Sequence, residues 1–228
     1  MALFSLTRAA LVRIAPFALF MALLALRSAA PADGSWGIDP RWLYGVTVLA
    51  VGALLLWCWR EYGELASRQT LPDAREGLLA VAVGAAVFAL WIRLDAPWMT
   101  LGTPAAGFVP RAADGSLDIA LVAVRIAGAA LLVPLMEELF WRSFLMRWIE
   151  QPTFQGVDPR RVGLKAIVLS TFVFMLAHTL WLAAVIAGLA YAWLYVRSGK
   201  LWTAVIAHAV TNGLLAVWVL MTGNWQFW

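Results

Sequence analysis

Two adjacent glutamates stand inside an apolar run, Leu135-Met136-Glu137-Glu138-Leu139-Phe140-Trp141-Arg142. A carboxylate at membrane depth costs roughly 2.5 kcal/mol or more, so an ionisable residue there marks function unless a structural reason is found. Both histidines of the chain also lie in apolar runs. One ends the stretch Phe174-Met175-Leu176-Ala177-His178, and the other opens His208-Ala209-Val210-Thr211-Asn212. His208 and Asn212 are four apart and share a helix face, as do Glu138 and Arg142. A carboxylate and an imidazole can share a water and deprotonate it as it attacks a carbonyl. An Asn amide and a second imidazole can then hold the oxyanion. Glu137, His178, His208 and Asn212 are therefore a complete set for peptide hydrolysis without a covalent intermediate, with Glu138 and Arg142 in support.

Other chemistries fit less well. Ser143 and Ser170 lack a recognisable nucleophile setting, and Cys58 is far in sequence from the cluster. Two His and one Glu could ligate catalytic zinc. No His-Glu-x-x-His motif is present, however, and Arg142 offsets the second carboxylate, so a site with no metal and no cofactor is expected. Plain structural readings exist for single residues. Glu138 with Arg142 can be an ion pair that only holds helices, and a lone membrane His or Asn can be a helix–helix hydrogen-bonding group. Phe174 reads as packing. Arg125 reads as a partner of Asp118 or a snorkelling group.

The elements that position these residues follow from composition. Of 228 residues 63% are hydrophobic and only 13% charged, against about 45–50% and 25% in soluble domains. With a mean hydropathy of +0.81, the chain reads as all-α, a polytopic transmembrane helical bundle forming one integral membrane domain over 1–228. Fourteen tryptophans suit membrane interfaces. The net charge of +4 sits in short loops and does not argue for nucleic acid. Apolar runs near the ~20 residues of a span predict seven helices, at Ala9–Leu26, Trp42–Trp59, Gly77–Ile92, Ile119–Arg147, Val162–His178, Trp181–Val196 and Leu201–Met221. Val162–Val196 would be about 52 Å as one helix, so a tight reversal is expected near His178–Trp181. The Pro-, Gly- and Asp-containing stretch Leu94–Asp118 could hide an eighth, short or re-entrant segment.

The first helix has the look of a secretion signal, with Arg8 and Arg13 before it and Ser28-Ala29-Ala30 after it. Arg27 and the parity of seven spans favour an uncleaved helix. Twelve Lys and Arg fall on the side of the N-terminus and four on the other, with Arg125 inside a span. That bias predicts a cytoplasmic N-terminus and an exported C-terminus in a multi-pass protein of the inner (plasma) membrane. Counting from the nearest cytoplasmic basic residue, Glu137, His178, His208 and Asn212 lie about 15, 20, 12 and 18 Å deep. Three helices thus bring polar groups to a common level, as one buried site requires.

Glu-Glu-x-x-x-Arg at Glu137–Arg142, Phe-x-x-x-His at Phe174–His178 and His-x-x-x-Asn at His208–Asn212 resemble, in order and spacing, the motif set of the CPBP family of intramembrane proteases. That family includes the Rce1-type CAAX prenyl endopeptidases and their bacterial relatives, also called Abi proteins. The resemblance covers about residues 119–222, which is then the catalytic core. It implies a glutamic-type, metal-independent endopeptidase in which Glu137 activates water, His178 assists, His208 and Asn212 stabilise the oxyanion, and Glu138 and Arg142 hold the site. It implies a helical bundle, usually of eight helices, with a cavity open to the cytoplasm and bilayer. Its substrates would be membrane-associated proteins or peptides. In general look and length the chain is also similar to the CAAX-protease-like proteins found beside exosortase and PEP-CTERM sorting systems, which would make exosortase-system proteins its partners. Two other readings stay open at this point. One is a non-enzymatic membrane immunity or scaffold protein, and the other a proton-coupled transporter, against which the lack of an evident inverted repeat counts.

Overall fold

A computed structural model describes residues 7–31, 35, 37, 39–102 and 107–228. Seven principal helices stand where the apolar runs predict them: α1 Arg8–Ala29, α2 Trp42–Trp57, α3 Ala74–Trp91, α4 Ile119–Glu150, α5 Leu164–Leu176, α6 Trp181–Ser198 and α7 Leu201–Thr222. Five of them, α1, α3, α4, α6 and α7, are long and apolar enough to cross a membrane. Five such helices do not establish the expected seven or eight spans. With 16 and 13 residues, α2 and α5 reach about 24 and 20 Å, short of a ~30 Å hydrocarbon core. In 94–118 the described residues form a single 3₁₀ turn at Pro97–Met99 and an isolated pairing of Arg111 with Leu117, with no further helix. Residues 103–106 of that stretch lie outside the described ones.

Local chemistry sets the helix ends. Asp73 accepts from the Glu76 amide while the Glu76 carboxylate accepts from the Asp73 amide, a reciprocal cap that starts α3. Asp118 caps α4 through the amides of Ala120 and Leu121, so it is not the partner of Arg125 that the sequence suggested. The reversal expected near His178–Trp181 is present: α5 ends at Leu176 and α6 begins at Trp181. The loop before α4 folds over this tip, with the Leu101 amide donating to Thr179 O at 2.7 Å and Trp181 Nε1 to Trp98 O at 3.0 Å.

Helix α7 is the centre of the packing, in contact with α3, α4 and α6, while α5 lies along α6 and α1 along α2. Two glycines permit the closest approaches. A Cβ on Gly84 of α3 would stand 2.3 Å from Ala207 O of α7, and one on Gly188 of α6 would stand 2.9 Å from the Thr171 methyl of α5. The outward faces carry exposed apolar side chains, among them Leu49, Leu56, Leu131, Phe172 and Val217, as a lipid-facing surface requires.

Helix α4 is not uniform. It is π-helical over Gly128–Leu132 and again over Leu139–Met146, and α-helical between, where Glu137 and Glu138 stand. Pro134 accounts for the first irregularity. Proline has no N–H and clashes with the carbonyl four residues back. The Val133 amide bonds Gly128 O, five residues back. In that register the donor for Ala129 O would be residue 134, and Pro134 has none. Ala129 O is thereby released from the helix.

Candidate active site

The released carbonyl is taken by α7. Asn212 Nδ2 donates to Ala129 O at 2.8 Å. This bond fixes the Asn212 amide against α4 and leaves its second N–H and Oδ1 for other partners. Four residues earlier on the same face, His208 Nδ1 lies 2.9 Å from Glu138 Oε1. That oxygen also accepts from Arg142 Nη1 at 3.1 Å, and Arg142 Nη2 donates to Gly188 O at 3.2 Å. Glu138 is wholly buried. The ion pair read from the four-residue spacing therefore exists and has a second duty: its carboxylate holds the His208 ring.

Aromatic groups complete the mounting. The Arg142 guanidinium lies 4.6 Å from the Phe174 ring centre and 5.5 Å from that of Tyr191, close enough for cation–π attraction. Tyr191 stacks on His208 at 5.0 Å and donates through its hydroxyl to Thr211 Oγ1 at 2.8 Å. Thr211 in turn reaches Gly84 O of α3 at 2.9 Å. Phe174 is thus packing, as expected, but it packs on the site's own cation and on His178, at 4.3 Å.

His178 sits at the tip of the α5–α6 reversal. Its Nδ1 is 2.8 Å from Phe174 O. A carbonyl only accepts, so Nδ1 carries the hydrogen, and in the neutral ring Nε2 presents its lone pair. Glu137 is buried, and its Oε2 has no hydrogen-bond partner. The second oxygen of Glu138 is likewise bare. Buried carboxylate oxygens are nearly always satisfied, so each bare one needs a reason.

Glu137, His178, His208 and Asn212 all line one cavity of about 340 Å³, within the size range of small-ligand sites. The predicted set is brought together from α4, the α5–α6 reversal and α7. Glu138 and Arg142 lie behind it. Sequence reading missed Tyr191, Thr211 and the Ala129 carbonyl. Two signals were available: a tyrosine in an apolar helix, and a proline three residues before Glu137. Among the described residues, no three of His, Cys, Asp and Glu converge as a metal-binding group would need. Ser143 is occupied elsewhere, by Arg13, Glu64 and Arg147. Cys58 is a buried free thiol outside the cavity lining.

From Glu137 the cavity runs toward the end of the bundle where α1 finishes and α2 and α4 begin, past Arg27, Tyr44 and Arg125. The charge count assigns that end to the exported side, whereas the family resemblance implied a cavity open to the cytoplasm and bilayer.

Neither the curated proteins nor the solved structures include a significant match to this chain. Apolar helices of crossing length mark a multi-pass membrane protein, and residues of all three motifs gather around one cavity. A family model describing the Rce1-like type II CAAX prenyl endopeptidases matches residues 119–214, the segment that carries Glu137, His178, His208 and Asn212.

Proposed function

We propose that the protein is a metal-independent, glutamic-type intramembrane endopeptidase that cleaves a membrane-associated protein or peptide. The observation that carries this reading is that Glu137, whose Oε2 has no partner, lines the same cavity as both histidines and Asn212. A water between Glu137 and His178 Nε2 is deprotonated by Glu137 as its oxygen attacks the scissile carbonyl carbon. His208, aligned through Nδ1 on Glu138, presents its Nε2 edge, and Asn212 presents its second N–H. Both face the developing oxyanion. When the C–N bond breaks, the proton held by Glu137 passes to the leaving amine. Arg142 offsets the charge of Glu138, so that Glu137 is the carboxylate free for chemistry.

In this reading the protein lies in the inner (plasma) membrane with a cytoplasmic N-terminus and an exported C-terminus, supported by the twelve-to-four charge bias. Exosortase-system proteins are the proposed partners, on the general likeness in length and loop style. The test is cleavage of membrane-associated peptides by the purified full chain in nanodiscs. Glu137→Ala and His178→Ala should each lower the rate about a hundredfold or more while the protein stays inserted and folded. Full activity in either variant, or loss of the native activity on adding a chelator, would overturn the mechanism. A biological role that survives Glu137→Gln would point instead to the non-enzymatic immunity or scaffold reading.

A further inference from the structure

The cavity has a second charged wall. Arg27, in the last turn of α1, and Arg125, in the second turn of α4, both line it. Their guanidiniums flank the same two rings, 5.8 and 4.6 Å from the Tyr44 centre and 5.7 and 5.6 Å from that of Phe108. Trp228 adds a third ring 5.9 Å from Arg125. No described carboxylate pairs with either arginine. The buried helix arginines Arg13, Arg142 and Arg147 each have one, whereas Arg27 and Arg125 are partly buried. Arg125 Nε and the Tyr44 hydroxyl are both buried without a hydrogen-bond partner. Two like charges and two unanswered donors in one wall is an arrangement that burial opposes, unless an anion completes it.

We infer that Arg27, Arg125 and Tyr44 form an anion subsite that holds a carboxylate of the substrate. This rests on the peptidase reading, since the same cavity joins the subsite to Glu137. Arginine is well suited here, because its planar fork meets a carboxylate through two hydrogen bonds and it tolerates an aromatic, weakly hydrated setting. Position sets a ruler. Arg125 is twelve residues before Glu137 on α4, about 18 Å, which is roughly five residues of extended peptide. Allowing for the reach of the arginine side chains, the carboxylate lies about three to five residues from the scissile bond. It is either an acidic side chain or the chain-terminal carboxylate, and it enters from the end of the bundle opposite the N-terminus. The site then selects substrates by charge as well as by apolar fit.

The experiment measures binding of labelled apolar decapeptides to the full-length Glu137→Gln protein in nanodiscs of zwitterionic lipid. Three peptides are compared: a neutral C-terminal amide, the same peptide with a free carboxylate, and the amide with one internal Glu. At least one anionic peptide should bind about tenfold or more tighter than the neutral one, and which one does so identifies the source of the carboxylate. Arg27→Gln with Arg125→Gln should erase the preference and leave binding of the neutral peptide unchanged, while Arg27→Lys with Arg125→Lys should keep part of it. Equal binding of all three peptides, or a preference that survives the double Gln variant, overturns the subsite. Charge preference without any cleavage by the native protein would remove the peptidase reading and keep the subsite. Cleavage without charge preference would do the reverse.

Discussion

Helix α4 carries two buried ionic clusters within three turns of each other. Toward its C-terminal end, Arg13 of α1 is buried at 2% exposure and donates to Glu64 at 2.7 and 2.6 Å, to Ser143 Oγ at 3.1 Å and to Ala9 O at 2.8 Å. Ser143 donates to Glu64, and Arg147 donates to Ser143 O and Oγ at 2.6 and 2.9 Å. Tyr62 and Phe154 cover the arginines. None of these buried polar atoms lacks a partner. The second cluster, Glu138–Arg142–His208 with Glu137 in front, is equally buried but leaves one oxygen of each glutamate bare. Both clusters bear the cost of burying charge. Where every donor and acceptor is met, the cluster ties α1 and the Gly63–Ala66 turn to α4. In the second cluster two carboxylate oxygens go unanswered, and one of the two glutamates, Glu137, lines a cavity.

That contrast can be broken by single substitutions read on two axes, stability and cleavage per folded molecule. Arg13→Ala should have the largest effect on stability. It strands Glu64 and should cost about 3–5 kcal/mol, seen as a lower unfolding temperature, with the cleavage rate of the remaining folded protein kept. Glu138→Gln should move both axes. Arg142 loses its carboxylate and His208 its anchor, so stability should fall by about 1–3 kcal/mol and cleavage by roughly tenfold in the same preparation. Unchanged cleavage there would mean that Glu138 holds only Arg142. Glu137→Gln should shift stability by less than about 1 kcal/mol or raise it, because it removes a buried charge that nothing pairs, while cleavage disappears. A large destabilisation would place Glu137 among the structural groups.

The smallest effect is in pH. Burial pushes the Glu64 carboxyl upward, but the hydrogen bonds and charge of Arg13, helped by Ser143, outweigh it and hold the group below the ordinary carboxylate range. A carboxyl lowered in the folded state adds stability that is fully present above its unfolded pKa and is lost as pH falls through the folded one. Unfolding temperature should therefore hold down to the ordinary carboxylate range, then fall on further acidification. Glu64→Gln should start lower and lose that acid-side slope. An unaltered slope in the variant would remove Glu64 from the stability balance.

Much of this was legible in the chain. Helix positions followed from the length of apolar runs, because lipid demands them: all seven stand where expected, and the reversal at His178–Trp181 came from the excess length of Val162–Val196. The polar residues that share the cavity were legible because charge and imidazole are costly in such runs. Two readings failed, each for a tertiary reason. Arg125 faces rings of α2 and the loop beyond α3 instead of Asp118, which caps its own helix. The helices α2 and α5 are shorter than their apolar runs, since a run says what is comfortable in lipid and not where the backbone turns.

The sequence by itself determined an all-helical membrane bundle and the identity of the polar set, since hydropathy and residue type are local properties that the bilayer reads directly. Only the tertiary structure decided what each polar group does. That Asn212 takes the carbonyl Pro134 releases, that Glu138 serves Arg142 and His208 at once, and that Glu137 is left bare depend on distances between helices far apart in the chain. Those distances follow from the close packing that Gly84 and Gly188 allow.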